Sequence, residues 1–147
     1  MKRFGSPPRP GIAYTRRPGA YAIIWHDGRV LVTEETAAQI EIQLPGGGID
    51  PGEGPVQALH REALEETGWS LRLVRRLGVY QRYTFMPDYG IHARKICHLY
   101  LCTPGLRLSA PTEAHHRALW MTPEEAIPQL ASPGDAWYLS ALVDGQI

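Results

Sequence analysis

The chain has little that would cross-link it, anchor it or hold it to a polyanion. Only two of its 147 residues are cysteines, Cys97 and Cys102. Two cannot build a disulfide scaffold, and their spacing is not that of a Cys-x-x-Cys pair. They read as reduced core or strand residues. No run approaches the ~20 apolar residues of a membrane span. The opening MKRFGSPPRPG has no apolar core of a signal peptide. The expected setting is cytoplasmic, without membrane contact. Neither sign of charge is in excess, since 15 Lys plus Arg balance 15 Asp plus Glu. A global basic field for long nucleic acid is therefore lacking. Basic residues do recur locally, at Arg72, Arg75, Arg76, Arg82, Arg94 and Lys95.

What is present is the composition of one globular domain, 44% hydrophobic. Residues 1–18 carry Pro7, Pro8, Pro10 and Pro18 among Arg and Gly. That composition predicts a flexible arm, with regular structure starting near Gly19 and the domain running over 19–147. Tyr21 to Trp25, the Asp27-Gly28 turn and Val30 to Thr33 read as a β-hairpin. EIQLP is a short strand and 46–54 a loop. Pro55 to Thr67 reads as a helix, with Pro55 in its first turn and Gly68 as its C-terminal cap. SLRLVRRLGVYQRYTF reads as strand broken near Gly78, PDYGIHA as a turn or loop, and RKICHLYLC as strand. TPGLRLSAPTEAHHR reads as mostly loop, and ALWM as a last short strand. Thr122, Pro123 and Glu125 form a helix start with a capping box, and GDAWYLSALVDGQ supports a C-terminal helix. Strands joined by hairpins and interleaved with helices predict an α/β or α+β architecture with a mixed sheet.

The helix over Pro55 to Thr67 is the local anomaly. At 100° per residue, Glu62, Glu65 and Glu66 share one face, beside a stripe of Val56, Leu59, Ala63 and Thr67 suited to a core. Arg61 can pair with Glu65 or with a carboxylate of the preceding loop. Acids near a helix C-terminus oppose the macrodipole by about 0.3–1 kcal/mol each. Like charges four apart cost a further few tenths of a kcal/mol. The helix also follows a glycine-rich loop, where backbone can approach a ligand closely. Unfavourable local choices of this kind mark function. A hard divalent cation resolves them: Mg²⁺ takes oxygen ligands, and Glu62 and Glu66, one turn apart, are the natural pair. An all-oxygen set argues against zinc.

Gly47, Glu53 and the run Arg61-Glu62-Ala63-Leu64-Glu65-Glu66-Thr67-Gly68-Trp69 resemble the Nudix box, G-x5-E-x7-R-E-U-x-E-E-x-G-U, with U a bulky apolar residue. Every fixed Gly, Glu and Arg is in place; Ala63 is smaller than the usual residue of its slot. The resemblance implies a MutT-like Nudix α/β/α sandwich and hydrolysis of a nucleoside diphosphate linked to another group. It implies Glu62 and Glu66 as the main Mg²⁺ ligands, with Mn²⁺ as a substitute. Glu65 would be a further ligand or the base for the attacking water, and the Gly46 carbonyl would complete the metal site. Arg61 would orient the carboxylates, and Glu53 would brace the loop and helix. Glu113 is the candidate for an additional acid from a late loop. His115 and His116 read as surface or substrate-lining residues.

Substrate recognition is expected from Tyr83, Phe85 and Tyr89 as stacking surfaces and from Arg82, Arg94 and Lys95 as phosphate contacts. Tyr21 and Trp25 are candidates for a pocket floor. LPGGGID resembles MutT-type enzymes, pointing to a (deoxy)nucleoside triphosphate pyrophosphohydrolase. Action on ADP-ribose or a nucleotide sugar, on a dinucleoside polyphosphate or on an RNA 5′ end stays open. So does a non-catalytic nucleotide sensor, although such a module would usually lack one of the box glutamates. The expected partner is a small nucleotide, and the chain a monomer or homodimer.

Overall fold

The computed structural model describes residues 1–36, 39–112 and 115–147. The strands are β1 (Lys2–Phe4), β2 (Thr15–His26), β3 (Arg29–Glu35), β4 (Glu41–Gln43), β5 (Gly46–Gly48), β6 (Trp69–Met86), β7 (Ile91–Arg107) and β8 (His116–Met121). The helices are α1 (Pro55–Thr67), α2 (Pro123–Ala126) and α3 (Pro133–Val143). The sheet runs β1-β6-β7-β2-β3-β4, with β5 added to β2 and β8 to β3. It is mixed: β1 lies parallel to β6 and β2 parallel to β7, and the other pairs are antiparallel.

The Asp27-Gly28 turn forms as expected. Both residues have positive φ, 50° and 71°, which suits a tight two-residue hairpin. β2 and β3 stay paired only at Trp25–Val30 and His26–Arg29. Beyond that they part: β2 runs between β7 and β5, while β3 joins β4 and β8.

Both faces of the sheet are covered, which is why YAIIW and RVLV are nearly continuous apolar runs. On one face Ala20, Ala22, Ile24 and Leu31 pack with Ala58, Leu59 and Ala63 of α1. On the other, Ile23, Val30 and Val32 cluster with Tyr138 and Leu139 of α3 and Ala126 of α2. This is an α/β/α sandwich. The four alanines between α1 and the sheet, Ala58 and Ala63 on the helix and Ala20 and Ala22 beneath it, are fully buried, so the helix backbone sits close to the sheet. Enlarging one would overpack the layer, at a typical cost of about 1–3 kcal/mol.

Five expectations need correction. Regular structure starts before Gly19: Lys2–Phe4 pair with Tyr80–Arg82, and β2 begins at Thr15. An exposed edge of β6 and the long partner β7 supply backbone hydrogen bonds that the proline count did not reveal. Gly46–Gly48 is a strand rather than loop, paired with Gly19–Tyr21. A Cβ on Gly46 would lie 2.2 Å from the Ala20 carbonyl oxygen, so only glycine allows this approach. β6 continues through Gly78, absorbing its irregularity as register shifts against β7. β7 runs on to Arg107, so residues 103–107 are strand and not loop. On α1, Val56 is exposed, and Ala58 and Glu66 are buried in its place. The sheet lies slightly further round the helix than the apolar stripe suggested.

α2 starts as read, with the Thr122 hydroxyl accepting from the Glu125 N–H and the Glu125 carboxylate accepting from the Thr122 N–H. Cys97 and Cys102 are buried free thiols, pushed up to about 11 and about 12 mainly by burial. Among the described residues, no helix is long and apolar enough to cross a membrane.

Candidate active site

α1 delivers the acids. Gly54 opens it with extended backbone, Pro55 occupies its first turn, and Gly68 closes it in left-handed conformation at φ 77°. The Gly68 N–H donates to the Leu64 carbonyl. The Thr112 N–H donates to the Glu65 carbonyl, and the Leu108 N–H to the Gly68 carbonyl. The chain after β7 thus satisfies carbonyls that a helix end leaves open. A Cβ on Gly68 would fall 1.9 Å from the Ser109 carbonyl oxygen, so the box glycine is required for this seal.

Arg61 is the hub. Its Nε and Nη2 donate to the two oxygens of Glu53, each at 2.8 Å. Nη1 donates to Glu62 at 2.9 Å and to Glu65 at 3.5 Å. Nη2 also donates to the Gly48 carbonyl and lies 3.4 Å from Asp50. Both partners left open by the sequence are therefore used, and the two-pronged one is Glu53. The Asp50 N–H donates to Glu53 as well, closing the loop before α1. The hydrogen bond from Arg61, then that backbone N–H, holds the Glu53 carboxyl at about 2. Arg61 is itself shifted upward, first by Glu53.

Four carboxylates thus share a single guanidinium. Glu62 shows the imbalance. Burial pushes its carboxyl up to about 7, the Arg61 hydrogen bond pulls the other way, and the charges of Glu66 and Glu65 add to the rise. Glu62 also presses on the glycine strand: a Cβ on Gly47 would lie 2.5 Å from its carboxyl carbon. Glu66, its side chain only 7% exposed, accepts from the Gly46 N–H at 2.8 Å. Gly46, Gly47, Glu62 and Glu66 therefore meet at one point, where strand β5 passes α1.

A second group that meets Glu66 is a histidine read from the sequence as surface or substrate-lining. His116 is not a surface residue; its side chain is 10% exposed, and Nδ1 lies 3.1 Å from Glu66 Oε2. Its Nε2 faces Glu35. His115, beside it, is exposed. Only the β3–β8 register, which places His116 opposite Glu35, could have signalled this. Glu113 lies outside the described residues.

The aromatic and basic candidates on the β6–β7 hairpin do not converge. Tyr83 and Phe85 line a groove with Tyr14 and His92. Tyr14 meets Tyr83 edge to face, with centroids 4.8 Å apart. Arg94 donates to Gln81. Arg82 alternates to the opposite face, against Gly5. Tyr89 is exposed and sits under the Arg17 guanidinium. With strand spacings of ~4.8 Å and rises of ~3.3 Å per residue, Tyr83 lies roughly 20 Å along the sheet from Gly47. Trp25 packs against the α3-side core. Lys95 and Tyr21 form a half-buried pair on that side, the ammonium 5.5 Å from the ring centroid.

The donor set at Glu62, Glu65 and Glu66 is all oxygen and short of positive charge, which fits a hard divalent cation. Among the described residues, no three acidic, thiol or imidazole groups are already closed into a metal cage. Arg61, the Gly46 N–H and His116 occupy carboxylate oxygens that such an ion would share.

The fold and site define a class: an α/β/α protein in which a glycine strand meets a helix carrying clustered carboxylates. The chain belongs to the Nudix family, matching the NUDIX domain over residues 15–142. Members of that family generally use divalent metal ions. A putative 8-oxo-dGTP diphosphatase of Bacillus subtilis is 37% identical over 70 residues, 48% of this chain and 47% of that protein. The chain thus spans about half the length of that relative. A CTP pyrophosphohydrolase of Escherichia coli is 29% identical over 125 residues, covering 83% and 87% of the two chains. A NUDIX hydrolase from Nitrosomonas europaea shares the fold at a TM-score of 0.74 and 22% identity, over 89% and 90% of the two chains.

Proposed function

We propose that the chain is a Mg²⁺-dependent pyrophosphohydrolase that cleaves a diphosphate linkage in a nucleotide, with (deoxy)nucleoside triphosphates as its substrate class. The observation that carries this reading is the meeting of Gly46 and Gly47 with Glu62 and Glu66, beside an arginine shared among four carboxylates. The activities for which the Bacillus and Escherichia relatives are named, on 8-oxo-dGTP and CTP, support the substrate class.

Glu62 and Glu66, the most enclosed acids of the helix, would hold the ion together with the Gly46 carbonyl. When bound, Mg²⁺ supplies charge neutralisation of the diphosphate and a lower pKa for water. Arg61 keeps Glu62 and Glu65 pointed into the cleft while Glu53 fixes Arg61. Glu65 is the most exposed of the three, its side chain 38% open. It accepts the proton of the attacking water as the water oxygen bonds to phosphorus. The bridging P–O bond breaks, and its oxygen leaves with the departing phosphate or pyrophosphate. Positioning and electrostatics carry most of such a reaction.

The test is a panel of nucleoside triphosphates, nucleotide sugars and dinucleoside polyphosphates incubated with Mg²⁺ and scored for released phosphate and pyrophosphate. Pyrophosphate release from a triphosphate, abolished by EDTA, is the expected result. Binding of triphosphates with no turnover of any compound would replace the enzyme with a nucleotide sensor.

A further inference from the structure

We infer that His116, backed by Glu35, is a positioning residue that fixes the rotamer of Glu66, the acid read above as a metal ligand; the inference rests on that reading. Both oxygens of Glu66 have a neighbour. Oε1 accepts from the Gly46 N–H at 2.8 Å, and Oε2 lies within ion-pair distance of His116 Nδ1, at 3.1 Å, without hydrogen-bond geometry. Carboxylate oxygens only accept, so an attractive contact with the ring needs the facing nitrogen protonated. The far nitrogen of the same ring, Nε2, faces Glu35. A glutamate has three side-chain torsions, and each contact to a fixed group removes freedom that would otherwise be lost on binding a ligand.

The support comes from strand register rather than from one contact. His116 and Glu35 are directly opposite in the β3–β8 pair, and the register holds without a shift from Val30–Met121 to Glu35–His116. Every second residue of β8 then faces α1: Ala118 and Trp120 pack against the core cluster under the helix. His116, two residues before Ala118, reaches the last turn of the same helix. The ladder that builds the α1-side core thus also delivers an imidazole to Glu66. Partners that orient a metal-ligating side chain are typically worth about 10–100-fold in metal affinity or activity.

Direct Mn²⁺ binding, read from the loss of the free-ion EPR signal, tests this without turnover. His116→Ala should weaken binding about 10–100-fold, and it should lower kcat with KM for nucleotide unchanged. His116→Asn places an amide nitrogen near the position of Nδ1 and should restore most of the affinity. His116→Gln places its nitrogen at the Nε2 end, toward Glu35, and should not. Thermal melting shows which variants fold. If His116→Ala does not, the Asn and Gln pair still decides the question. Wild-type binding in His116→Ala, or equal loss in the Asn and Gln variants, would overturn the positioning role. Glu66→Gln separates the two readings. Lost Mn²⁺ binding in Glu66→Gln with wild-type binding in His116→Ala removes only the role of His116. Unchanged binding in Glu66→Gln removes the metal site, and the inference with it.

Discussion

The two faces of the sheet bury carboxylates by opposite means. On the α3 side, Asp135 is 4% exposed and is surrounded by groups that satisfy it. The Tyr80 hydroxyl lies 2.7 Å from its Oδ1 and 2.7 Å from the Ser132 hydroxyl, and Lys95 and Arg82 act on it through charge. On the α1 side, Asp50, Glu53, Glu62 and Glu65 converge on Arg61 among the described residues, and Glu66 turns to a backbone N–H and an imidazole. One face closes its electrostatics internally; the other gathers four carboxylates around one guanidinium. A closed network serves the fold, and an open one costs it stability. Substitutions on the two faces should therefore be read out by different measurements.

The largest effect is expected on the open face. Glu66→Gln and Glu62→Gln should each cut kcat by about 10²–10³, the scale of losing one oriented electrostatic group at a reacting phosphate (about 2.7–4 kcal/mol). Thermal stability should be kept or raised, because each change removes a charge from a crowded set. Unfolding of both variants in a melt, in place of lost turnover by folded protein, would break the contrast between the faces.

The next effect belongs to the closed face and appears as pH dependence. Burial first, against the pull of Tyr80 and Lys95, raises the Asp135 carboxyl from 3.8 to about 6. The folded state then holds this proton more tightly than the unfolded state. The stabilisation is complete below about pH 4 and is lost as pH rises through about 6. Two units correspond to at most roughly 3 kcal/mol. Asp135→Asn removes the titration. The stability difference between wild type and variant, from urea titrations at pH 4 to 8, should move in the variant's favour as pH rises and level off above 6. Activity at fixed pH should hardly change. A flat difference across that range would mean that the site is more hydrated than its 4% exposure suggests.

Local rules made much of this legible in advance. The Asp27-Gly28 hairpin, the bounds of α1, the capping box at Thr122 and the one-sided acids all follow from turn chemistry and the 3.6-residue period. What escaped is tertiary. Glu35 and His116 are 81 residues apart in sequence, and nothing in AHHR distinguishes the half-buried histidine from the exposed one. Gly46–Gly48 carries no side chains from which to read a strand. Its pairing is set by Gly19 and Tyr21, on a strand met much earlier in the chain. The hairpin aromatics and arginines looked like one cluster in sequence. A period of two sends Arg82 and Tyr83 to opposite faces.

The smallest expected effect isolates the glycine strand. Gly47 and Gly48 are neighbours in β5, yet only one is pressed by the site. A Cβ on Gly47 would meet the Glu62 carboxyl at 2.5 Å, whereas a Cβ on Gly48 has nothing within 4 Å. Glu62 is a side chain and can swing away, so Gly47→Ala should fold. The displaced carboxylate is then about 1 Å from its working position, a misplacement that can cost up to about 10²-fold; about tenfold in kcat/KM is expected here, with partial recovery at high Mg²⁺. Gly48→Ala adds the same methyl to open space and should stay within about twofold, as surface changes usually do. Equal losses in the two variants would assign the cost to β5 backbone freedom. A loss confined to Gly47→Ala would locate it at the contact between the strand and Glu62.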